Sequence, residues 1–137
     1  MKFYFDSSAL TKRYIREEGS DQIDNFFQET DSVVVNSICF PEIISALTRL
    51  RRENKLNGHQ YQQCKKAAIE DFASFEVCQL SAEILRTSVT VLENTSVRAA
   101  DAIHIASAIE TKVALFISND KKQMIAAKQF KLMVNAV

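Results

Sequence analysis

Four carboxylates sit inside or directly beside apolar sequence, where taking a charge out of water is unfavourable unless something compensates it. Asp6 follows Phe3-Tyr4-Phe5, and Asp120 comes three residues after Ile117. Glu42 lies within Phe40-Pro41-Glu42-Ile43-Ile44, and Asp101 within Ala99-Ala100-Asp101-Ala102-Ile103. Any one of the 17 acids would by default be a solvated surface group. Brought together, however, these four could not all stay ionised uncompensated, since a pair at about 4 Å repels by ~1–4 kcal/mol at effective dielectrics of roughly 80 to 20. Protons or a divalent cation must balance them. An oxygen-only set, with no His or Cys at ligand spacing, suits Mg²⁺ or Mn²⁺ and not Zn²⁺. The chemistry that follows is metal-assisted phosphodiester hydrolysis.

The elements around these acids explain how they could meet. Short apolar runs rich in β-branched and aromatic residues at 3–5, 33–35, 75–79, 113–117 and 131–134 read as strands. Helical patterns fill 7–17, 21–28, 38–54, 58–74, 81–93, 98–111 and 120–128. The strand runs are mostly continuous and not alternating, so the sheet is expected to be buried on both faces and mainly parallel. Every strand of such a sheet ends at the same edge, and crossover helices begin there. Asp6 and Asp120 would leave strand ends at that edge. Pro41 holds Glu42 to a first helical turn, and Ser96 as an N-cap would put Asp101 in the opening turns of its helix. First-turn acids also favour the helix dipole by ~0.3–1 kcal/mol, which accounts for Glu42 or Asp101 singly but not for the two strand-end aspartates.

Two helices between the second and third strands, 38–54 and 58–74, cannot both be simple crossovers. Their far ends are therefore expected to project as a partner surface, with Leu50, Leu56 and Tyr61 short of contacts beside Arg49, Arg51, Arg52 and Lys55. Ser7 and Ser8 read equally as helix caps and as hydroxyls holding Asp6. His104 reads as a structural histidine, and Lys12, Arg13 and Arg98 are candidate phosphate contacts. Zero net charge excludes a polycationic surface as the whole basis of nucleic-acid binding. Three cysteines without ligand spacing read as buried free thiols of a reducing compartment. With no signal-peptide core and no apolar run of the ~20 residues a membrane span needs, residues 1–137 read as one cytoplasmic domain.

FDSSALTKRY at 5–14, PEIISAL at 41–47, RAADAIHIASA at 98–108 and FISNDKK at 116–122 resemble the four signature segments of PIN domains. The match is nearest to the VapC-type toxins of toxin–antitoxin pairs, and it runs from Lys2 to about Val134. Four motifs in order carry it, where each alone would be weak. The resemblance implies a three-layer α/β/α sandwich and Mg²⁺- or Mn²⁺-dependent cleavage of single-stranded RNA. It also implies an acidic quartet of Asp6, Glu42, Asp101 and Asp120, with Ser8 and Ser118 orienting those acids. Homodimers, and an antitoxin whose C-terminal segment lies over the active site, follow from the same likeness. Ser118 stands where Thr is common, and the loop at 93–97 lacks a glycine often found there. A catalytically silent PIN-like binding or scaffold module is the alternative; the intact quartet argues against it.

Overall fold

Phe3, Tyr4 and Phe5 leave no polar side for a strand to turn to water. In the computed structural model, which describes residues 1–137, β1 (Lys2–Phe5) accordingly runs through the centre of the sheet. It pairs in parallel with β2 (Ser32–Asn36) on one side and with β4 (Leu115–Ser118) on the other. β3 (Glu76–Cys78) and β5 (Val134–Ala136) complete a five-stranded, wholly parallel sheet in the order β3-β2-β1-β4-β5.

Alternate residues of each strand serve opposite cores. Phe3, Phe5, Val33, Val35 and Ile117 pack against α1 (Ser7–Tyr14), α2 (Ser20–Glu29), α3 (Cys39–Arg52) and α4 (Gly58–Ser74). Tyr4, Val34 and Phe116 face α5 (Ala82–Asn94), α6 (Ala99–Glu110) and α7 (Lys121–Gln129). The result is the three-layer α/β/α sandwich. Crossovers from β1 and β2 lie on one face and those leading to β4 and β5 on the other, so the chain changes direction between β1 and β4. In open α/β sheets the crevice beyond the carboxyl ends of strands at such a point is where ligands bind.

Several expectations need correction. α1 stops at Tyr14 and not at residue 17, because Ile15 turns extended and Gly19 takes φ 96. Ser20 then closes the turn, its hydroxyl donating to the Lys12 carbonyl and accepting from the Glu17 amide. The last strand begins at Val134, since Lys131 is held at φ 64 in the turn ending α7. Ser96 does not cap α6; Arg98 occupies the N-cap with no side-chain bond. The helical pair α3–α4 does not project as an arm. Tyr61 is buried with the Arg51 guanidinium 5.5 Å from its ring centroid, and Leu56, Cys64 and Phe72 pack against the same core as α3. The exposed apolar stripe lies instead on α5, at Leu85, Val89 and Leu92. All three thiols are free; Cys39 is buried, and Cys64 and Cys78 are half-buried. No helix is long and apolar enough to cross a membrane.

Candidate active site

Asp6 is the residue at which β1 becomes α1. Its Oδ1 accepts the Ala9 amide at 2.9 Å as a helix N-cap and the Ser8 hydroxyl at 2.7 Å. Its Oδ2 accepts the hydroxyl of Ser118, the last residue of β4. Ser118 Oγ in turn accepts the Asp120 amide at 3.0 Å, and Ser8 Oγ accepts the Asn119 amide at 3.0 Å. Two strand ends are thus laced together through two serine hydroxyls and one carboxylate. Asp6 is 1% exposed. Burial raises its pKa above the ordinary 3.8, against the pull of His104, Ser118, Ala9 and Ser8.

Glu42 sits in the first turn of α3 and is half-buried. Its Oε1 accepts the Ser7 hydroxyl at 2.9 Å and lies 2.7 Å from His104 Nε2. Burial alone would raise its pKa, but the bond to His104, that residue's charge, Ser7 and Arg98 together bring it below the ordinary 4.5. His104 is itself buried in α6, one turn beyond Asp101, and its Nδ1 lies 2.7 Å from the Tyr4 hydroxyl.

Asp101 opens α6 and Asp120 caps α7, accepting the Gln123 amide at 3.1 Å. The Gln123 side chain is buried between them. In the amide orientation that satisfies its neighbours, its nitrogen donates to Asp6 Oδ2 at 2.9 Å and to Asp101 Oδ1 at 3.3 Å. Asp6 and Asp101 are therefore separated by one amide nitrogen. Burial, and then the charge of Asp120, raise the Asp101 pKa above 3.8. Arg98 Nε stands 3.9 Å from Asp101 Oδ2, with the rest of its side chain in solvent. No group of three or more His, Cys, Asp or Glu side chains is arranged to hold a metal ion.

The cations of α1 are otherwise engaged. Lys12 is buried, donating to the Glu18 carbonyl and pairing with Glu17 at 3.5 Å. Arg13 donates to Asp71 at 2.7 Å and lies 4.1 Å over the Phe27 ring. Both are tied into the packing of α1 against its neighbours. Arg98, paired only with Asp101 at 3.9 Å, is the most exposed of the three expected cations.

The description PIN domain matches residues 3–129 of the chain. The chain belongs to the PIN domain family. Ribonuclease VapC45 of Mycobacterium tuberculosis (strain CDC 1551 / Oshkosh) is 26% identical over 106 residues, covering 77% of this chain and 74% of that relative. Among solved structures, the Sarcin-Ricin loop cleaving toxin VapC20 of Mycobacterium tuberculosis superposes with a TM-score of 0.67 at 14% identity, over 90% of this chain and 94% of that one. A toxin-antitoxin complex from Klebsiella pneumoniae gives 0.66 at 17% identity, over 88% of each chain.

In this PIN domain the acids gather at the carboxyl edge of the sheet, each at the start of a helix. Three participants escaped the sequence reading. Ser7 holds Glu42 where a cap or a bond to Asp6 was expected. Tyr4 reaches across the sheet to His104. Gln123 was legible in part, because Asp120-Lys121-Lys122-Gln123 has the cap-to-third-residue spacing of a helix start. That pattern gave its place on α7 but not its bonds to Asp6 and Asp101.

Proposed function

We propose that this chain is an endoribonuclease that cleaves single-stranded RNA with a bound Mg²⁺ or Mn²⁺, and that it is the toxin of a toxin–antitoxin pair in the cytoplasm. The observation that carries this reading is the placement of Asp6 and Asp101 one amide nitrogen apart, at the point where the sheet changes direction. Asp6 is buried among neutral hydroxyl and amide donors with no cation bonded to it. A charge in that setting calls for a cation. Asp6 and Asp101, on either side of one amide nitrogen, offer oxygen alone, the donor type suited to a divalent ion that keeps several waters and takes one or two carboxylates.

On this reading Asp6, Asp101, Asp120 and Glu42 are the residues that would hold the ion. When bound, the ion supplies an activated water and neutralises charge at the scissile phosphate. Ser8 and Ser118 keep Asp6 aimed, and Asp120 keeps Asp101 eager for positive charge. Arg98, exposed at the mouth, meets a backbone phosphate. Labelled single-stranded RNA, duplex RNA and single-stranded DNA test the substrate class. Cleavage of the first alone, abolished by EDTA and restored by Mn²⁺, is expected. Cleavage that persists in EDTA overturns the reading.

The partners are a cognate antitoxin and a second copy of the chain. A toxin-antitoxin complex among the fold's relatives supports the first. The α5 stripe of Leu85, Val89 and Leu92 supports the second, because Arg86 and Glu93 lie along one flank of it, seven residues apart. A two-fold axis pairing α5 antiparallel with its copy sets each Arg86 against the other Glu93. Light scattering should find a dimer that Arg86→Glu weakens and the swap Arg86→Glu/Glu93→Arg restores. A wild-type monomer would contradict it.

A further inference from the structure

The hydrogen bonds behind Glu42 determine which nitrogen of His104 carries its proton. The Tyr4 hydroxyl oxygen accepts the Asn36 backbone amide at 3.1 Å and lies 2.7 Å from His104 Nδ1. A backbone N–H cannot accept, and of the two side chains beside the hydroxyl, His104 and Ser107, it is His104 Nδ1 at 2.7 Å that stands in hydrogen-bond geometry to accept the Tyr4 proton. Nδ1 is then the ring's lone pair, and the proton sits on Nε2, 2.7 Å from Glu42 Oε1. The same oxygen takes the Ser7 hydroxyl at 2.9 Å. Both donors converge on Oε1, and Oε2 makes no hydrogen bond within the protein. The chain Asn36–Tyr4–His104 is buried from end to end, and Nε2 meets Glu42 Oε1 at 2.7 Å with the Ser7 hydroxyl farther off at 3.4 Å.

We infer that His104, its tautomer fixed by Tyr4, is a positioning residue that pins Glu42 through Oε1 and leaves Oε2 to face the bound ion. The inference rests on the ribonuclease reading and adds to it a support two strands deep. Without the pin, a glutamate with three rotatable bonds would sample many directions at the mouth of the site. The Nε2–H form also makes His104 a donor toward the carboxylate and not a rival for the water at the reacting phosphate. Supporting partners of this kind typically account for about 10- to 100-fold in metal affinity or activity.

Two amide substitutions separate this role from mere packing. The Gln amide nitrogen reaches the place of imidazole Nε2, whereas the Asn nitrogen reaches only that of Nδ1. His104→Gln should therefore retain a donor to Glu42, and His104→Asn should not. With melting curves showing both folded, His104→Asn is expected to lower kcat by about 10- to 100-fold with KM unchanged, and His104→Gln to recover most of that loss. Equal impairment of the two, or full activity in folded His104→Asn, overturns the inference. Glu42→Gln is the control for the reading beneath it. If Glu42→Gln is fully active, the acid site itself is wrong; if it is inactive while His104→Asn is active, only the role of His104 falls. Nitrogen-15 spectra of the imidazole give a readout independent of RNA. A protonated Nε2 and bare Nδ1 at neutral pH, lost in Tyr4→Phe, are expected, and a protonated Nδ1 in a neutral ring would refute the assignment.

Discussion

Asp6 and Glu42 share an edge of the sheet, and each is held by one hydroxyl of the same dipeptide, Ser8 for Asp6 and Ser7 for Glu42. Their environments nonetheless push them in opposite directions. Asp6 is buried among neutral donors, and burial outweighs all of them, so its pKa rises. Glu42 is only half-buried and has His104 against it, so the donors outweigh burial and its pKa falls. A carboxylate whose charge burial disfavours is poised to gain most from a cation. A carboxylate already satisfied has less to gain and is better suited to orientation. On the proposed ribonuclease reading, the difference suits Asp6 to holding charge and Glu42 to directing it.

The largest expected effect comes from breaking the Asp6 side. Asp6→Asn should lower RNA cleavage by on the order of 10²-fold or more, the scale of losing a directly engaged electrostatic group. Its stability should move the other way. A raised folded pKa gives stability that is present below the unfolded value of 3.8 and lost as pH rises through the folded one. In EDTA the wild type should thus lose stability from about pH 4 upward, and Asp6→Asn should flatten that slope in melting curves. Asp101, also raised, contributes to the slope in the same sense.

Breaking the Glu42 side should produce the opposite pH trend. Its lowered folded pKa contributes stability above 4.5 that is lost as pH falls through the folded value. Glu42→Ala leaves the buried His104 N–H without its partner, a loss of about 1–3 kcal/mol, nearer the lower bound because Glu42 is half-open. Denaturant titration at pH 7 should show it, and the gap to wild type should narrow below pH 4.5. The smallest effect belongs to the rim. Arg98→Ala should raise KM for RNA about three- to tenfold with little change in kcat, and the difference should shrink in high salt.

The division between the two sides also marks what the sequence made legible. Asp6 and Asp120 could be placed because a parallel sheet brings all strand ends to one edge, and Phe3-Tyr4-Phe5 and Phe116-Ile117 mark those ends plainly. Glu42 could be placed because Pro41 belongs at a helix start. The partners were harder. Tyr4 and His104 meet across 100 residues, and Ser118 and Asp6 across 112, so no local pattern announces either bond. The burial of Lys12 was not legible, because α1 ends a turn early at Tyr14 and the chain folds back to give its amine the Glu18 carbonyl. The α3–α4 arm failed because two helices between parallel strands can both lie on one face of the sheet, as Ile43, Leu47, Tyr61 and Ala68 do in a shared core.

The most direct test is Mn²⁺ binding measured by calorimetry on the wild type, Asp6→Asn, Asp101→Asn and Arg98→Ala, alongside cleavage of one single-stranded RNA by the same samples. Saturable binding and cleavage are expected in the wild type and Arg98→Ala, and the loss of both in each aspartate variant with folding intact. An aspartate variant that binds Mn²⁺ and cleaves RNA like the wild type would contradict that expectation.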